Sequence, residues 1–445
     1  MQIPHIQNAL DNIKTACELK LAKLYSKGIP TPIRERYETE LGFLEVSEHI
    51  DDFEIFRLLS EESIKCSTVI NMRGTVAGSF IYYLLGNNCF NPLPVYYFCP
   101  ECGYYEPVQT HLFGIDLPEK KCPQCGHSIL ADGFNLHSES VWGNDGKKII
   151  TFDYNVSEEF LPFARRVLAS LYPQNEVVPW GMFQLDPPPH SNYTQGNIVG
   201  VNLAGYVILP LGNTIQDYPD LTSCLDNGDA CLTGGGWELE NSFLKTVRLF
   251  SLEHINKLIQ LQRATGIYAN EITNKELREI TWSNIHNATV LDTITSSFFY
   301  ELKPKTFTNM IALKSSAHST FSWQELDHKD LYTYKQMITS EAFKKYPCYT
   351  REDFFDHLLE AGLERTFAFT VSEQIRKGHS NSAKFKDSFN QLSIPEEIKD
   401  VARNYLYIFP RAHCIEYILM YARLAYYAKV DSRAFSKIMF NKKNS

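Results

Sequence analysis

Cys99-Pro-Glu-Cys102-Gly103 and Cys122-Pro-Gln-Cys125-Gly126 are the stretch on which the reading of this chain turns. Two Cys-x-x-Cys pairs stand 19 residues apart, the spacing of a tetrahedral Zn²⁺ site. Each pair is a tight turn that aims two thiolates at one point, and Gly103 and Gly126 let the backbone fold back past the metal. Four thiolates leave no open coordination position, so the expected site is structural and needs no help from His127 beside Cys125. Disulfides are the alternative. The chain has 11 Cys, an odd number, and the other seven (Cys17, Cys66, Cys89, Cys224, Cys231, Cys348 and Cys414) are scattered. No apolar signal segment follows Met1-Gln2-Ile3-Pro4-His5. This usage suits a reducing cytoplasm.

Outward from the cysteines, composition sets the class. The chain has 445 residues, 44% of them hydrophobic and 13% aromatic, and a net charge of −9. It is therefore globular, with more than one core expected. The negative balance argues against a uniformly basic nucleic-acid binder but allows a local basic face. From Arg376 to Ser445 there are 13 Lys/Arg against 6 Asp/Glu. The most apolar stretch, Ala412–Ala428, carries His413, Glu416 and Arg423. It reads as a buried helix, not a membrane span, and His413 there reads as a core residue.

Local patterns organise the rest. Asn8–Cys17 and Pro32–Leu41 read as helices. In the second, Arg34 with Glu38 and Arg36 with Glu40 predict a solvated charged face. Ser67–Asn71 and Lys147–Asp153 read as strands, the latter ending in a carboxylate. A helix with Phe160, Ala164, Val167, Leu168 and Leu171 on one face follows, with Ser157 as its expected N-cap. Gly205–Pro210 reads as a buried strand and Thr233–Gly236 as a turn. The chain is mostly helical from Phe250 onward.

Several stretches then form a collinear set: Arg73-Gly-Thr-Val-Ala-Gly-Ser-Phe80, Asn91-Pro-Leu-Pro-Val-Tyr-Tyr-Phe-Cys99, Phe113-Gly-Ile-Asp-Leu-Pro118, Lys303-Pro-Lys-Thr-Phe307, Arg376-Lys-Gly378 and Phe409-Pro-Arg-Ala-His413. From about Leu24 to Val430 the chain resembles the PolC-type DNA polymerase III α subunit. The resemblance implies an α+β palm with an inserted zinc ribbon, followed by a mostly helical fingers-like domain. The expected units are a helical thumb-adjacent segment (1–66), a first palm segment (67–98), the ribbon (99–130), a second palm segment (131–250) and the fingers-like domain (251–445). Modules that precede and follow the palm and fingers in that family are not found in this sequence.

That family adds nucleotides with two Mg²⁺ held by three aspartates, two of them as Asp-x-Asp on one strand. Here the first falls on Thr151 and the second on Asp153. At the third the sequence reads Thr246-Val247-Arg248. Val247 offers no ligand and Arg248 repels a cation. A His-Pro-Gly-Gly-like segment falls on Asn202-Leu203-Ala204-Gly205. The expectation is therefore a non-catalytic relative, with Asp153 the single surviving carboxylate, structural Zn²⁺ and no Mg²⁺. It would bind DNA or replication proteins, as an accessory factor or an interfering decoy, and no membrane. Arg73, Arg376, Lys377, Lys384, Lys386 and Arg411 are its candidate DNA contacts. Two alternatives stand beside it. One is an active divergent polymerase with Asp145, Asp153, Glu238 or Glu240 as metal ligands, the two glutamates alternating on a strand. The other is a protein-interaction scaffold that does not bind DNA. Gln391–Pro395 faintly resembles a sliding-clamp peptide but lacks its closing aromatic.

Overall fold

The computed structural model describes residues 3–186, 197–235, 238–239, 242, 244–280, 282, 291, 293–323 and 331–440. Three helices come first: α1 (Ala9–Leu24), α2 (Thr31–Val46) and α3 (Ile50–Lys65). Each buries one apolar stripe at helical spacing, such as Ile13, Cys17 and Leu21 on α1. Both predicted N-terminal helices run further than their local patterns suggest. The charged face of α2 is not simply solvated. Arg34 reaches across to Glu18 on α1, and Glu40 is completely buried. The Glu40 carboxylate accepts from Arg36, from the Ser79 hydroxyl and from the Phe80 amide. It thereby satisfies the N-terminus of the helix Phe80–Leu85 from across the core.

Ten strands are numbered here in chain order. Seven of them form one mixed sheet: β1 (Asn71–Arg73), β5 (Asp153–Val156), β6 (Val177–Asp186), β7 (Asn197–Ile208), β8 (Thr222–Cys224), β9 (Ala230–Thr233) and β10 (Lys245–Ser251). Its order is β1-β5-β10-β7-β6-β9-β8. β10 runs parallel to β5, and β6 parallel to β9, while the other neighbours are antiparallel. Two strand expectations shift. Ser67–Ile70 precedes the strand, and Lys147–Phe152 is irregular, so Asp153 opens β5 instead of closing a strand. Ser157 precedes a short 3₁₀ turn before the helix Leu161–Leu171, and its side chain makes no cap bond there. Between β1 and β5 in the chain lie β2 (Tyr96–Phe98), β3 (Tyr105–Pro107) and β4 (Leu130–Asp132), which form a small separate sheet in the order β3-β2-β4.

From Glu253 onward the described residues are mostly helical. One apolar cluster runs from Ile13 to Met439 and joins the N-terminal helices, one face of the sheet and the C-terminal helices. The helix Arg411–Val430 passes through it, with Glu416 and Arg423 buried along its length. Among the described residues, no helix is long and apolar enough to cross a membrane. The chain is thus mixed α/β.

Separated sequence motifs interlock in this fold. Asp116 accepts from the Phe307 and Thr308 amides, so Phe113–Pro118 caps the helix that Lys303–Phe307 opens. The Arg376 carbonyl accepts from the Ile408 amide, just before Phe409–His413.

Candidate functional site

The four cysteines sit at the tips of two turns beyond β2 and before β4. Gly103 and Gly126 adopt φ +79° and +75°, and their amides donate to the carbonyls of Cys99 and Cys122 at 2.9 Å. The Cys99 and Cys125 sulfurs lie 3.4 Å apart and those of Cys102 and Cys122 3.5 Å apart. All four donor atoms fall within 4.8 Å of one another. A tetrahedral Zn²⁺ with bonds of about 2.3 Å spaces its sulfurs by about 3.8 Å, so the donor set fits that ion. The Cys122 thiol is raised by burial, but donation from the Cys125 and Gln124 amides outweighs this and holds it at about 7. A thiolate is the form a metal takes.

The second centre is a row across the sheet. Strand register places Arg73 opposite Asp153, Asp153 opposite Arg248, Arg248 opposite Gly205, and Gly205 opposite Trp180. The row therefore reads cation, anion, cation, gap, aromatic. Arg248 pairs with Asp153 at 3.5 Å and lies 5.9 Å from the Trp180 ring centre. Arg73 donates to the Asn155 amide oxygen at 2.8 Å and lies 4.5 Å over Phe250. Gly205 has φ +144°, and a Cβ there would stand 2.1 Å from the Val247 carbonyl oxygen. Only glycine lets β7 approach β10 this closely.

Val247 points to the opposite face, 4% exposed in the main core, while Thr151 is exposed before β5. Behind Arg73 stands His413, stacked on Phe409 at 4.6 Å. Burial, then the charges of Arg73, Lys314 and His318, push His413 down to about 3. Lys314 is itself buried, 2.9 Å from the His318 ring nitrogen. The local field is cationic.

Among the described residues, the one group of three or more His, Cys, Asp or Glu donors is the cysteine cluster. A two-Mg²⁺ site therefore does not fit the described donors. Glu238 lies in a helical turn, not on a strand as expected, and its carboxylate faces the Gly235 amide. Asp145 sits in an exposed turn and accepts from the Lys147 amide. Glu240 lies outside the described residues.

The basic candidates divide. Lys377, Lys384 and Lys386 are exposed on one segment. Arg376 is partly buried and held by Glu373. Arg411 is 4% exposed, bonded to Asp353 at 2.6 Å, to the Asn135 carbonyl and to Thr350. Burial removes Arg411 from the candidate DNA contacts. We expect Arg411→Met to cost about 1–3 kcal/mol, because the Asn135 carbonyl and one Asp353 oxygen lose their donor while Asp353 keeps the Tyr349 and Thr350 amides. Urea unfolding measures this; a stable variant with weakened DNA binding would reverse the assignment. No local pattern signals the neighbouring network, in which buried Arg351 pairs with Glu352 and Glu373. Arg351 and Glu352 are neighbours at the start of one helix, and Glu373 reaches them from the next helix only in the packed core.

No protein-family model matches the chain. Against known proteins it is 22% identical over 489 residues to "DNA polymerase III PolC-type" of Caldanaerobacter subterraneus, covering 98% of this chain and 34% of that protein. The Thermotoga maritima protein of the same name is 23% identical over 472 residues, covering 95% and 34%. That of Staphylococcus epidermidis is 24% identical over 480 residues, covering 95% and 32%. This chain is related to PolC-type DNA polymerase III. It spans about a third of the length of these relatives. The PolC relationship runs through both centres described above, the cysteine cluster and the charged row.

Proposed function

We propose that this PolC-related chain is a non-catalytic relative of the replicative polymerase that binds DNA or replication proteins, as an accessory factor or an interfering decoy. The observation that carries this reading is the Arg248–Asp153 pair in register on adjacent strands. A guanidinium lies where a divalent cation would need a carboxylate, and it uses the one carboxylate that remains. In this reading the seven-stranded sheet is the palm (67–98 and 131–250). The cysteine-bearing insertion is its zinc ribbon (99–130), residues 1–66 are thumb-adjacent, and residues 251–445 form the fingers-like domain. All 11 cysteines carry free thiols, which supports a cytoplasmic setting.

Primer extension with four nucleotides and Mg²⁺ or Mn²⁺ tests the reading. No extension is expected from the wild type. Extension that disappears in Asp153→Ala would overturn it and establish Asp153 as a metal ligand. DNA affinity against salt is the companion measurement. Lys377, Lys384 and Lys386 should contribute a slope of about −0.9 per phosphate contact on duplex DNA. Lys377→Ala with Lys384→Ala should flatten it and weaken all sequences alike. No DNA binding at low salt would leave protein partners only.

A further inference from the structure

A cleft of about 640 Å³ opens between the cysteine-bearing insertion and the short helix Asn274–Arg278. Its two walls are tied together. Asn274 donates to Asp132 at 3.3 Å, Arg278 to the Ile115 carbonyl at 2.7 Å, and Lys275 pairs with Glu119 at 3.3 Å. The cleft is therefore preformed. Its size is that of a ligand pocket.

The lining has two characters. Leu130 on β4 is 59% exposed, and with Ile129 and Pro118 it gives the cleft an apolar wall. β4 pairs with β2 on one side, and on the other it is flanked by Gly114, whose amide donates to the Gly133 carbonyl, and by Lys120, whose carbonyl accepts from the Ile129 amide. Four cations, Lys120, Lys121, Lys275 and Arg278, line the cleft against two carboxylates, Glu119 and Asp132. Such a balance stands out in a chain of net charge −9. Lys275 is in a solvent-exposed pair, which is worth little and exchanges partners readily, while Lys120 is part-buried, held by both Glu106 oxygens and 4.4 Å over the Tyr97 ring. Lys121 is exposed and makes no ion pair among the described residues.

We infer that this cleft docks an extended acidic peptide segment of a partner protein, its apolar side chain against Leu130 and its carboxylates on Lys121 and Lys275. Charge complementarity selects an anionic occupant. The apolar wall beside the exposed cations favours a peptide, which can present apolar and acidic side chains together. Nucleic acid fits less well, because no aromatic ring lines the cleft and single strands depend on stacking platforms. This inference stands apart from the polymerase reading, since it involves neither the charged row nor the Lys377–Lys386 segment.

The test uses the full chain and a fluorescein-labelled peptide alternating Glu and Leu, read by anisotropy. Binding is expected. Lys121→Glu and Leu130→Glu should each weaken it about tenfold or more, with zinc content and melting temperature unchanged. A peptide alternating Lys and Leu should not bind. Should Leu130→Glu disturb folding, Leu130→Ser replaces it and should weaken binding in the same direction. The proposal is overturned if the acidic peptide does not bind, if the Lys peptide binds equally, or if the Lys121 and Leu130 variants bind like the wild type. It is also overturned if a single-stranded oligonucleotide binds with the same dependence on Lys121 and Leu130, which would make the cleft a nucleic-acid site.

Discussion

Cys99→Ser is expected to release zinc and loosen the insertion while the rest of the molecule stays folded. The ground is the size of the local core. The apolar cluster around the cysteines has six buried members, Val95, Tyr97, Cys99, Leu117, Cys122 and Ile129, and two of these are ligands themselves. So small a cluster cannot by itself offset the conformational entropy of ordering the insertion. Structural Zn²⁺ in small sites contributes about 10–16 kcal/mol, far more than two buried thiol side chains could. The main core excludes the four clustered cysteines and runs from Ile13 to Met439, so it should survive. Tyr96 and Phe98 belong to that main core, and Tyr25 meets Tyr96 through their hydroxyls at 2.8 Å. The loosening should therefore stop at β2. Metal analysis and limited proteolysis measure both effects. A wild type without an equivalent of zinc, or a variant that keeps a full equivalent, defeats the assignment. A variant that unfolds globally would show that the metal supports the main core as well.

Glu416→Gln is expected to remove a pH dependence of stability worth on the order of 5 kcal/mol across its full range. Glu416 lies in the helix Arg411–Val430, 1% exposed. Among the described residues neither of its carboxylate oxygens accepts a hydrogen bond. Burial, only partly opposed by Arg423, pushes its carboxyl up to about 8. A raised carboxyl binds more protons folded than unfolded. Its contribution is complete below the unfolded value near 4.5 and is lost as pH rises through 8. Two groups oppose it. His413, held down at about 3, makes stability rise with pH up to its unfolded value near 6.5. Lys148, lowered to about 7 by burial and by Arg351, does the same from there towards 10.5. The wild-type profile alone is therefore blunted. The difference between wild type and Glu416→Gln isolates the group, and it should fall by about 1.4 kcal/mol per pH unit between about pH 5 and 8. Urea unfolding of both proteins across that range measures it. A flat difference would mean that Glu416 is already ionised in the folded state.

Glu416 also marks how far the sequence could be read. The cysteine cluster was legible because its determinants are local. Two short turns with paired glycines specify thiol geometry wherever they are placed. The resemblance to PolC was likewise legible from separate short stretches in order, and the similarity to the PolC-type proteins supports it. Helices are legible where apolar spacing repeats, whereas the buried Glu40 that satisfies the start of the helix Phe80–Leu85 from across the core is not. Asp153 and Arg248 could be named from the sequence, but their pairing could not. They are 95 residues apart, and parallel register between β5 and β10 decides that they face each other.

Arg411 shows the limit most plainly. A basic residue in a basic segment reads as a nucleic-acid contact, because charge in sequence carries no information about burial. Folding encloses it between Asp353, Thr350 and the Asn135 carbonyl and makes it a core ion pair. The sequence by itself determined the thiol site, the amphipathic helices and the kinship, all of which depend on residues close together along the chain. The tertiary structure alone decided which charges are buried, which are paired and which face solvent, because desolvation and Coulomb energy depend on distances in space that only the packed fold sets.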